Sequence, residues 1–292
     1  MLAPQSWCLR PPPTRSRRCT VKITRLRLTK EKLAKLPEKD RRLLLILGGL
    51  SNEINTLQKL MMLTRVAPHG IVDIVEAGQV MFFLRMLSGK LHESRLMLDK
   101  LVTSDKEFKD RHRLDSNGTA AASLKLVFRH FNEWGALLGD IRDETFHSND
   151  KLGHVERAFQ ALPATEPWDF FLSESLGNSF YYAAELVMTR VMIDLTKRGA
   201  ATGDAKKAEN EALMELHDAA IKGAQLMADA FHGLMISIVD SVIKDLEHAE
   251  KDIPDGPRMS TFRLPYFFDM TGMVSSAASE THPQPSPEPK AN

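Results

Sequence analysis

The chain has 292 residues, 43% hydrophobic and 26% charged, ordinary values for a globular protein whose core stands without covalent staples. Its two cysteines, Cys8 and Cys19, both fall within the first 20 residues, which excludes a disulfide framework, a zinc ribbon and thiol catalysis from everything beyond. Net charge is +1, but four arginines in those first 20 residues leave the body mildly acidic, which argues against extended contacts to a nucleic-acid duplex.

Residues 1–20 are rich in Pro and Arg, lack periodicity and are predicted to be disordered. They contain no apolar stretch of the secretory kind. An Arg-rich, acid-poor leader fits a transit peptide, and a translation start near Val21 is the simpler reading.

A helical-bundle domain is expected over residues 21–252. Leu, Ala, Met, Glu and Lys dominate its sequence, Gly and Pro are sparse after residue 38, and period-two β-branched runs are hard to find. The first long helix is predicted from Pro37 to about Val66. Proline suits a first turn, Glu38 and Asp40 complement the helix dipole, and Leu43, Leu47, Leu50, Ile54, Leu57 and Met61 form a core stripe. Pro68-His69-Gly70 breaks it. The second helix, about 71–102, carries Ile74, Val75, Val80, Phe83, Leu84, Leu87, Leu91 and Leu98, so the two should form an antiparallel pair. Asn52, Glu53, Asn55 and Gln58 beside the first stripe read as a solvated shoulder, and the methionines (Met61, Met62, Met81, Met86, Met97) as core filler or a subunit interface.

After an irregular charged stretch, a third helix is expected from Thr119, bending or restarting near Trp134-Gly135, with a fourth segment over 136–148. Residues 163–178 read as a connector with a short extended piece, followed by helices over about 178–197 and 205–249. Residues 253–274 form a strap bearing Phe262, Leu264, Tyr266, Phe267 and Phe268, and 275–292 a disordered Ser/Pro/Glu-rich tail. No stretch approaches the roughly 18 apolar residues of a membrane span, so a soluble, cytoplasmic protein with no membrane contact is expected.

The segment with chemical content is Ile141-Arg142-Asp143-Glu144-Thr145-Phe146-His147. It reads Arg, four residues, His, with a polar residue directly after the arginine. Together with the all-α setting, this resembles the HEPN superfamily, whose signature is Arg-x4–6-His on a late helix of a bundle; the resemblance spans about residues 38–195. It implies a metal-independent endoribonuclease without cofactors, acting as a homodimer with the motifs meeting across the interface, in a stress or defence role and with an antitoxin or other protein partner. Its catalytic residues would be Arg142, Asp143 and His147. His147 would move protons at the RNA 2′-hydroxyl or the leaving 5′-oxygen. Arg142 would present a planar fork to the phosphoryl oxygens.

Asp143 and His147 are four apart, on one helical face, where the carboxylate would orient the imidazole. Arg142 and His147 stand about 140° apart on an ideal helix, so they converge only if the helix ends near Phe146, the arginine curls, or a second subunit completes the site. Against catalysis stands the plainer reading that this is the solvated face of a helix, in a non-catalytic binding or scaffold protein. Glu144-x-x-His147 also matches half of a di-iron pattern, but no second Glu-x-x-His occurs, so no metal is expected. His130, Asn132 and Glu133 read as a surface patch.

Overall fold

A computed structural model describes residues 21–64, 71–114, 118–146, 152–173, 178–196, 205–240, 248–253 and 264–267. The expected disorder of 1–20 and 275–292, and the breaker at Pro68, fall outside these residues. The protein is all-α, with eight helices among the described residues: α1 (Lys30–Ala34), α2 (Glu38–Leu63), α3 (Ile71–Ser104), α4 (Lys106–Arg111), α5 (Thr119–Phe146), α6 (Leu152–Ala161), α7 (Tyr182–Thr196) and α8 (Ala205–Asp240). None of them is long and apolar enough to cross a membrane.

The four long helices make the core. Helix α2 packs on α3 and α8, α5 packs on α3 and α8, and α7 lies against this bundle with α6 beside it. The predicted stripes point inward: Leu43, Leu47, Ile54 and Met61 of α2 and Val75, Phe83, Leu84, Leu87, Leu91 and Leu98 of α3 are buried, and Leu50, Leu57 and Val80 are partly buried against them. Each such side chain contributes about 1.5–3 kcal/mol of burial. Asn52, Glu53 and Asn55 are exposed, as a solvated shoulder requires, and Gln58 is half-buried.

Of the two expectations for helix α5, bending or restarting near Gly135, the restart is corrected, because the helix runs without interruption from Thr119 to Phe146. A glycine inside a helix costs about 1 kcal/mol. Burial of Phe131, Leu138 and Ile141 on either side outweighs that. A second correction concerns residues 248 and 249, which belong to a strand rather than to the last helix. A two-stranded antiparallel ribbon joins β1 (Val21–Leu26) to β2 (His248–Ile253), with Val21 opposite Ile253 and Leu26 opposite His248. Val21, Ile23 and Thr24 supply the β-branched strand, and its pairing is a long-range event that local periodicity does not reveal.

The connector holds the expected extended piece. Phe171 and Phe180 exchange backbone hydrogen bonds of 2.8 and 2.7 Å. Two described strap residues reach the body: the Leu264 amide donates to the Leu63 carbonyl, and the Tyr266 hydroxyl donates to the Ser179 carbonyl at 2.8 Å.

Where α5 crosses α8, a Cβ on Gly233 would stand 3.1 Å from the Ala120 Cα. Backbone cannot yield there as a side-chain tip can. Gly233→Leu should therefore destabilise the fold by about 1–3 kcal/mol in urea unfolding, despite leucine's better helix propensity. Equal or greater stability would show that the seam has slack.

Polar ties also join the helices. Arg85 of α3 donates through Nη2 to both carboxylate oxygens of Glu185 on α7, at 2.8 and 2.9 Å. Asp40 of α2 is completely buried and receives Arg111 Nη1 at 2.7 Å and His112 Nε2 at 3.2 Å. Sequence alone placed Asp40 only as a first-turn acid.

Candidate functional site

Arg142 and Asp143 stand in the last turn and a half of α5, and His147 lies outside the described residues, as does the convergence of His147 with Arg142. Leu138 and Ile141 are wholly buried and turn this part of α5 so that Arg142 and Asp143 face outward. Arg142 Nη1 donates to Asp143 Oδ1 at 2.9 Å, and Nη2 donates to Glu93 Oε1 of α3 at 3.3 Å. Asp143 is thus engaged with its neighbouring arginine.

The charges continue across the bundle surface. Lys90 of α3 lies 3.5 Å from Glu93 and 2.8 Å from Glu53 of α2. The hydrogen bond to Glu53 raises the Lys90 pKa above its ordinary value, against the pull of burial and with help from Glu93. The result is an alternating ladder, Glu53–Lys90–Glu93–Arg142–Asp143, spanning three helices. Side-chain exposures of 28% for Arg142, 47% for Glu93 and 49% for Asp143 make these surface pairs. Such pairs contribute roughly 0–1 kcal/mol each. An incoming phosphate can therefore exchange with either carboxylate at small cost.

Sequence reasoning missed Glu93, Lys90 and His92, because they come from another helix. One signal was present: Gly139, one turn before Arg142. A Cβ there would stand 2.6 Å from His92 Cε1, so glycine lets the imidazole lie directly on α5. His92 and Glu93 therefore both face the end of α5 that carries Arg142.

Glu144 does not share the solvated face. It is buried, and its Oε2 lies 2.5 Å from His154 Nδ1 on α6. This pair fastens α6 to the end of α5. Among the described residues, no three His, Cys, Asp or Glu side chains gather as metal ligands.

His130 departs from the surface patch in which Asn132 and Glu133 lie exposed. Its Nε2–H donates to the Ala219 carbonyl of α8 at 3.0 Å. Burial lowers its pKa below the usual value, and the Ala219 carbonyl and Glu133 oppose this only in part. A lowered histidine pKa means the unfolded chain binds the proton more tightly. Its contribution is fully present above the unfolded value of about 6.5 and declines as pH falls from there towards the folded value. Between about pH 7.5 and 5, the wild type should therefore lose more stability than His130→Gln. Equal losses in thermal melts would remove His130 from the pH response.

No protein-family model, no curated protein and no solved structure matches this chain.

Proposed function

We propose that the protein is a HEPN-like, metal-independent endoribonuclease, working as a cytoplasmic homodimer in a stress or defence system. The observation that supports it is the placement of Arg142: the motif arginine stands at the end of a late bundle helix, part-exposed and paired, among the described residues, with exchangeable surface carboxylates. In the reaction, the RNA 2′-oxygen attacks the adjacent phosphorus while His147 takes its proton. Arg142, released from Glu93, holds the phosphoryl oxygens as charge develops, and Asp143 steadies the guanidinium or the imidazole. The leaving 5′-oxygen receives a proton from a histidine of the same or the symmetry-related copy. Products are a 2′,3′-cyclic phosphate and a 5′-hydroxyl.

A second reading, a non-catalytic binding or scaffold protein, draws on a different observation. The connector exposes Phe170, Leu172 and Tyr181 at 57%, 73% and 53%, more apolar surface than a simple link between helices requires. Incubating the purified protein with total RNA in EDTA separates the readings. Cleavage by the wild type that is lost in His147→Ala supports the nuclease. Cleavage persisting in the mutant removes His147 from the mechanism, and no cleavage by folded protein on several RNAs favours the binding module.

A further inference from the structure

Three side chains far apart in sequence form a continuous hydrogen-bonded chain away from Arg142. Asp40 Oδ2 lies 3.2 Å from His112 Nε2, and His112 Nδ1 lies 3.2 Å from Ser237 Oγ. A carboxylate only accepts, so the neutral ring carries its proton on Nε2 and presents a lone pair at Nδ1. That lone pair receives the Ser237 O–H. Arg111 on Asp40 Oδ1 balances the buried negative charge, so the neutral imidazole completes the set without a further ion in the core.

The local fold holds the imidazole in place. Asp105 caps α4 by accepting from the Phe108 amide at 2.9 Å. Helix α4 then ends in a Schellman turn, in which the Leu114 amide donates to the Lys109 carbonyl and the Arg113 amide to the Asp110 carbonyl. Arg113 takes the left-handed position of that turn with φ of 51°, where glycine is usual. His112 is the residue just before it, and its ring packs on Phe108 with centroids 4.4 Å apart. The His112 and Asp40 side chains are wholly buried, whereas Ser237 is half-buried on α8. Base and acid are sealed, and the residue that carries the hydroxyl is in part exposed.

We propose that Ser237 is an activated nucleophile, with His112 as its base and Asp40 as the group that orients the base, taking acyl or phosphonyl groups from small electrophilic esters. The imidazole is used in the reverse sense to the familiar serine–histidine–aspartate arrangement, with Nδ1 towards the serine. Ser237 lies within a helix, whose own ladder engages the nearby backbone amides, so that helix offers no pair of amides around Ser237 to hold an oxyanion. The expected activity is accordingly stoichiometric acylation, with slow turnover. With a fluorophosphonate probe, Ser237 Oγ bonds to phosphorus, fluoride leaves with the P–F electron pair, and the hydroxyl proton passes to His112 Nδ1, where the imidazolium formed is held against Asp40.

The test is intact-mass and peptide-mapping analysis of the full chain after fluorophosphonate treatment, folded and in urea. The proposal expects one adduct on Ser237 in folded protein, none in Ser237→Ala, and labelling roughly 10²-fold slower in His112→Gln. It expects labelling to disappear in urea, a readout that a merely structural hydroxyl would not give. Folded wild type that labels at Ser237 no faster than in urea, or not at all, overturns it. That comparison stands even if His112→Gln fails to fold.

Discussion

Asp40→Ala should lower the stability of the protein by about 3 kcal/mol, near the lower end of the range for breaking a buried ion pair. The carboxylate is wholly buried and is the shared partner of Arg111 and His112, so its removal strands two groups at once. Arg111 is partly compensated, because its other Nη reaches Glu107 at 2.5 Å and 28% of its side chain meets solvent. His112 has no such escape from the core, and most of the loss belongs to its uncompensated Nε2–H. Asp40→Asn keeps the shape and one acceptor oxygen, so it should lose about half as much. Urea unfolding with an unchanged m-value would read both effects. A loss below about 1 kcal/mol for Asp40→Ala would mean the network contributes little to holding α2, α4 and α8 together.

Arg142→Ala should reduce RNA cleavage by about 10²–10³-fold, the scale for removing one donor to developing phosphoryl charge. Stability should change by no more than about 0.5 kcal/mol, because the ion pairs the guanidinium makes among the described residues are surface pairs. Arg142→Lys should recover little, since an ammonium lacks the planar fork. Glu93→Gln offers a contrasting result. It loosens the carboxylate that competes with substrate, so it should leave cleavage intact or raise it severalfold. Single-turnover rates on one short RNA would measure all three. Unimpaired cleavage by Arg142→Ala would separate the arginine from the reaction.

The helices that carry the core were readable because their information is local. Leu43, Leu47, Ile54 and Met61 repeat at helical spacing, and their burial follows from that spacing alone. Gly135 does not restart the helix because a residue's helix propensity is a weak prior, overridden here by the buried face of α5. The short helices α1, α4 and α6 have too few turns to show a period, and the ribbon depends on two segments more than 200 residues apart. Polar contacts were the least accessible. Asp40 looked like a helix-dipole acid until the fold placed His112 and Arg111 against it. Arg142 and Asp143 stood out in one segment, but Glu93, Lys90 and Glu53 join them only through the packing of α5 on α3 and of α3 on α2.

The ribonuclease reading requires that the RNA's own 2′-hydroxyl be the nucleophile. The decisive measurement is cleavage, in EDTA, of an RNA that carries a single 2′-deoxy residue at a mapped cut site, with the product ends identified by mass. The account predicts that cutting vanishes at that linkage alone, while neighbouring cuts leave 2′,3′-cyclic phosphate and 5′-hydroxyl ends. Undiminished cutting at the deoxy linkage, or products bearing 5′-phosphates, would contradict it.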